Sequence, residues 1–113
     1  MEHVNVVVAK DFKADKVNKV TSIKTSQIAQ DTYYFKAGQV LDYHRHPEGD
    51  QVFFVQEGQG SFYLDDNGEE FVKIGPGSVM LAPRGVWHKL VAETDMIASQ
   101  ATVQPAGMEA RAK

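Results

Sequence analysis

Two histidines one residue apart, His44 and His46, sit within the stretch GQVLDYHRHPEGDQVFFVQEG, residues 38–58. On an extended strand that spacing puts both imidazoles on one face. Imidazole is the commonest protein ligand for metals near neutral pH, and it suits zinc, copper, iron and nickel. The run Pro47-Glu48-Gly49-Asp50 reads as a turn, because proline cannot continue a ladder and glycine is free to take a positive φ. Gln51 then opens the β-rich run Gln51-Val52-Phe53-Phe54-Val55 and adds a side-chain amide to the two rings. Strand, turn and second strand together deliver three donors toward one point.

A bare His-x-His pair is as much at home on a solvated edge strand as at a metal. The segment GPGSVMLAPRGVWH, residues 75–88, tips the reading toward a site. It predicts a strand over 78–82, a Pro-x-Gly turn at Pro83-Arg84-Gly85, and a third histidine, His88, opening the next strand. Three of the four histidines thus fall at strand ends beside tight turns. His3 lies apart from both segments and reads as a surface residue.

The elements that must position these side chains are short strands. Tyr33, Tyr34 and Phe35 mark a strand over 27–36, and Asp66-Asn67-Gly68 is the strongest hairpin signal in the chain. Strands are expected over 61–64, 70–74 and 96–103, with an early strand over the β-branched run 4–9. The lysine-rich stretch 10–24 reads as a solvated connection, and 104–113 as a tail that frays. No amphipathic helix of three turns is visible. Closely spaced strands without intervening helices predict an all-β sandwich or closed barrel.

Length and composition narrow the function. A chain of 113 residues is one domain, residues 1–113, with room for one core. A net charge of −3 offers no basic footprint for nucleic acid. The absence of cysteine excludes disulfides, thiolate metal sites and a cysteine nucleophile. No apolar run approaches the ~20 residues that span a bilayer, so no membrane partner is expected and the chain reads as cytoplasmic. The run 51–55 is apolar on both faces, which calls for cover on both sides. A homodimer would supply it.

The two histidine segments resemble the paired motifs of the cupin superfamily. The first family pattern, G-x5-H-x-H-x(3,4)-E-x6-G, is met by Gly38, His44, His46, Gln51 and Gly58, with glutamine where glutamate is usual. The second, G-x5-P-x-G-x2-H-x3-N, is met by Gly77, Pro83, Gly85 and His88, with Ala92 in place of asparagine. The resemblance implies a double-stranded β-helix, or jelly-roll barrel, of about six to eight strands. It also implies one divalent transition metal (zinc, iron, manganese or nickel) held by His44, His46, Gln51 and His88. Asp50 is the rival fourth ligand, since the family allows the shorter gap; Glu48 and Asp42 are candidates for outer positions.

An amide in place of the carboxylate leaves the site more positive, so the metal is held less tightly but is more electrophilic. An anionic small molecule, such as a carboxylate, would restore the balance. Arg45, of opposite parity to the histidines, is expected to face outward, whereas Arg84 in its turn stays open. No catalytic acid–base pair, nucleophile or phosphate loop is apparent. The resemblance implies a small metal-dependent enzyme acting on an oxygenated organic molecule, as a dioxygenase or an isomerase or lyase. The competing expectation is a metal-dependent binding or sensing module without turnover.

Overall fold

A computed structural model describes residues 1–112. Among the described residues ten strands form in chain order: β1 (Asn18–Lys24), β2 (Ile28–Phe35), β3 (Val40–Arg45), β4 (Gln51–Glu57), β5 (Gly60–Asp65), β6 (Glu69–Ile74), β7 (Val79–Ala82), β8 (Trp87–Ala92), β9 (Met96–Val103) and β10 (Glu109–Ala110). They make two antiparallel five-stranded sheets, ordered β1-β2-β9-β4-β7 and β10-β3-β8-β5-β6. The all-β jelly-roll expectation holds, with more strands than the resemblance implied.

Alternation packs the space between the sheets. Phe35, Phe53, Val55, Phe62, Leu90 and Met96 are at most 4% exposed and meet in one cluster. Phe53 is its hub, 6.3 Å from the Tyr33 ring and 5.9 Å from Phe62. Gly58 shows why glycine punctuates the strands: its φ is +86°, and a Cβ there would lie 2.1 Å from the Asp95 carbonyl oxygen. Residues with a side chain rarely adopt that φ.

Each histidine-bearing segment crosses from one sheet to the other. β3 and β4 lie in different sheets, and so do β7 and β8. The two crossing turns are stitched together: the Arg84 backbone N–H donates to Asp50 Oδ1 at 2.7 Å, and the Gly85 N–H to the His46 carbonyl at 2.9 Å. The Gly85 bond is made by backbone alone, so it ties the two motifs together at one end of the barrel whatever side chain stands at position 50.

Three segments depart from the sequence reading. Residues 4–9 form a turn rather than a strand, because Asn5 Oδ1 accepts the N–H groups of Val7 and Val8, a local alternative to ladder pairing. The segment lies over the outside of β2, where the Tyr34 hydroxyl donates to the Val6 carbonyl and Phe12 meets the Tyr34 ring edge-on. The expected connection over 10–24 contains β1, a polar edge strand. The expected frayed tail, as far as residue 112, is tied down: Ala106 is buried, β10 pairs with β3, and Arg111 bonds Asp65 at 2.8 Å. Lys113 lies outside the described residues.

The two faces of β4 differ. Gln51, Phe53 and Val55 are buried, whereas Val52 and Phe54 face outward beside Val79 and Leu81 of the edge strand β7. This outer face is apolar and open in the single chain.

Candidate metal centre

Cross-strand register creates the centre of the site. His44 of β3 and His88 of β8 are direct partners, with ring centroids 4.2 Å apart. His46, just beyond the end of β3, lies 5.3 Å from His44 and 5.7 Å from His88. One nitrogen from each ring lies within 4.8 Å of the others. Nitrogens about 2.1 Å from one tetrahedral cation lie about 3.4 Å apart, a spacing inside that bound.

Each ring is held from behind by a backbone carbonyl. Nδ1 of His44 meets the Asp42 carbonyl at 2.9 Å, that of His46 the Gly107 carbonyl at 2.6 Å, and that of His88 the Val86 carbonyl at 3.1 Å. A carbonyl only accepts, so every Nδ1 carries the proton and every Nε2 keeps its lone pair. Nε2 of His46 and of His88 is buried with no partner. Burial lowers the pKa of all three rings, and His88, which also feels His44, is brought down to about 3. At neutral pH the cluster is three uncharged donors.

Gln51 enters from the opposite sheet and is 1% exposed. Its amide nitrogen donates to Gln100 Oε1 and, at 2.9 Å, to Thr102 Oγ1, while its Oε1 is buried with no partner. The clustered histidine nitrogens fit a divalent transition ion, and the orphaned Gln51 oxygen is a donor of a type such an ion accepts. Gln51 and His46 share the wall of a cleft of about 210 Å³ with Lys19, Lys24 and Asp31. A second cleft, about 340 Å³, reaches His44 and His46 past Val17, Leu41 and Tyr33. Phe53 lies 5.8 Å from the His88 ring and floors the site.

The remaining sequence candidates stand elsewhere. Asp50 is exposed and spends its carboxylate on the Arg84 N–H. Asp42 supports His44 through its backbone, while its carboxylate accepts the Tyr43 N–H at 2.7 Å. Glu48 is exposed. Arg45 turns outward as parity requires, stacking 4.3 Å from Trp87 and bonding Glu109. Arg84 is exposed and lines neither cleft.

Four residues around the site escaped the sequence reading: Gly107, Thr102, Gln100 and Asp31. The last three had a signal. On β9 the inward parity runs Met96, Ala98, Gln100, Thr102, apolar and then polar, and β2 has Asp31 in register with Gln100. A strand whose buried face turns polar at one end marks the wall of a site. Gly107 had none, because it acts through its carbonyl.

Comparison with known proteins agrees with this geometry. The family model described as "Cupin domain" matches residues 31–103. An RmlC-like cupin protein from Desulfovibrio desulfuricans superposes with a TM-score of 0.84 at 29% identity, over 91% of this chain and 96% of that one. KdgF from Halomonas sp. gives 0.71 at 23% identity, covering 83% and 84%. The DMSP lyase DddQ from Ruegeria pomeroyi gives 0.74 at 19% identity, covering 84% of this chain and 51% of that one. No curated protein matches the chain. Fold, motif positions and family match agree, and the chain belongs to the cupin family.

Proposed function

We infer that the protein binds one divalent transition metal through His44, His46 and His88, with the Gln51 carbonyl oxygen as fourth donor. It uses that ion to act on a small oxygenated organic molecule. The observation that carries this reading is the set of buried, unpartnered acceptors, Nε2 of His46 and His88 and Oε1 of Gln51, in a cluster whose Nδ1 atoms are all engaged elsewhere. Unpaired buried polar atoms are costly and call for a ligand. An ion bound there would polarise a substrate oxygen as a Lewis acid.

The chain's own residues supply selection. On the polar cleft Lys19 already faces Asp31 at 3.8 Å, and Lys24 favours an anionic group. Val17, Leu41 and Tyr33 on the second cleft favour an apolar portion and exclude water. Candidate reactions are dioxygenation, isomerisation or elimination; a structure of like fold is described as a DMSP lyase. A second copy of the chain over Val52, Phe54, Val79 and Leu81 belongs to the same proposal, and light scattering tests it.

One observation favours a second reading, binding or sensing without turnover. The Tyr33 hydroxyl is pushed further into its protonated form by burial and by Asp31. Asp31 is itself engaged by Thr21 and Gln100. Both groups are thus committed to the polar network behind Gln51.

Metal-loaded protein incubated with a panel of small hydroxy- and keto-acids, followed by mass spectrometry and calorimetry, separates the two readings. Metal-dependent product that vanishes in His44→Ala supports the enzyme. Binding without product supports the sensor, and the absence of both binding and product would contradict either reading.

A further inference from the structure

Gln51 has two faces, and only its oxygen can serve a cation. The amide nitrogen in its place would present two protons to the ion. What holds the oxygen inward is legible in the bonds behind it. Gln51 donates to Gln100 Oε1, which also accepts from the Thr102 hydroxyl at 3.2 Å. Gln100 in turn donates from Nε2 to Asp31 Oδ2 at 2.9 Å and to the Tyr33 hydroxyl at 3.3 Å. Asp31 is 6% exposed and also accepts the Thr21 hydroxyl at 2.7 Å, with Lys19 at 3.8 Å.

A carboxylate only accepts, so Gln100 must turn its nitrogen to Asp31 and its oxygen to Gln51. Gln51 must then turn its nitrogen to Gln100, which leaves its oxygen as the buried, unpartnered end of the amide. We propose that Asp31 is the positioning residue of the metal centre, fixing through Gln100 which atom of Gln51 faces the ion. The negative charge absent from position 51 stands instead two side chains away, at the far end of a row crossing β4, β9 and β2. Charge-assisted bonds in such a row strengthen one another and raise the electron density on the outermost carbonyl. Ligand orientation from behind is the usual task of outer partners at metal sites. This inference rests on the proposed metal reading for its consequence, but the polarity of the row is a property of the metal-free protein.

Two measurements test it. In metal-free wild-type protein, nuclear magnetic resonance is expected to show the Gln51 side-chain amide protons protected from solvent exchange, and Asp31→Asn is expected to reduce that protection. Cobalt(II) titration followed by its visible spectrum then gives affinities for wild type, D31N, Q51E and the double variant. D31N is expected to weaken cobalt binding about tenfold, the lower end of what losing an outer partner costs. In the Q51E background the sign reverses: the introduced carboxylate and Asp31 both claim the Gln100 N–H, and D31N strengthens binding. Unprotected Gln51 amide protons in wild type would overturn the proposal whether or not D31N folds. So would equal weakening by D31N in both backgrounds, which is the mark of a merely structural role. Wild type that shows the protected amide but takes no cobalt would contradict the metal reading and leave the row's polarity standing.

Discussion

His44 on β3 and His88 on β8 face each other as direct cross-strand partners, ring centroids 4.2 Å apart, and burial keeps both uncharged. Two imidazolium ions at that separation, shielded from water, would repel. Folding therefore commits the pair to their neutral forms.

That commitment makes the metal-free protein acid-sensitive. The His88 pKa falls from 6.5 to about 3 on folding, so the unfolded chain binds more protons across this window. The contribution is fully present above the unfolded pKa and is lost as pH falls toward the folded one. Between about pH 7 and about pH 5, His88 alone is expected to remove about 2 kcal/mol of stability, and His44 and His46 act in the same direction. Urea unfolding at the two pH values measures the loss, which His88→Asn should reduce. A profile as flat as that of a protein without buried histidines would contradict the assignment.

Asp50 and Gln51 adjoin in sequence but part in space, and substitution should separate their roles. Asp50→Ala removes the stitch to the Arg84 N–H and is expected to cost about 1 kcal/mol of stability while sparing metal stoichiometry and affinity. Gln51→Ala is expected to weaken metal binding. Calorimetric titration of both variants, alongside urea midpoints, checks the pair. A metal deficit in Asp50→Ala with none in Gln51→Ala would reverse the assignment.

The C-terminal segment is expected to matter at the site. Gly107 accepts the His46 Nδ1–H, and Gly49 admits the segment: a Cβ there would lie 2.6 Å from Val103 Cγ1 and 3.1 Å from the Ala106 Cβ. Removing residues 106–113 is expected to lower metal affinity by about 10–100-fold, the usual result of losing a partner behind a ligating ring. Cobalt titration of the shortened chain reads this directly. Unchanged affinity would show that the Gly107 carbonyl does not orient His46.

The histidine motifs were legible because spacing and parity act locally. Strand periodicity put His44 and His46 on one side and Arg45 on the other, and the turn residues placed His88 at the opening of a strand. Polar β1 was not legible, since an edge strand contributes backbone pairing more than burial, and its lysines suit an edge. The role of residues 106–110 was hidden for a related reason. Two residues of ladder and one carbonyl carry it, and neither leaves a mark on side-chain pattern. Among the described residues, no helix is long and apolar enough to cross a membrane.

The most direct test is elemental analysis of untagged protein, with calorimetric titration of the stripped protein by zinc, iron(II), manganese and nickel, for wild type and His88→Ala. One divalent ion per wild-type chain is expected, with a loss of affinity in the variant greater than the ~100-fold that outer partners command. A wild-type chain that takes up none of these ions, or a variant that binds as wild type does, would contradict the metal centre.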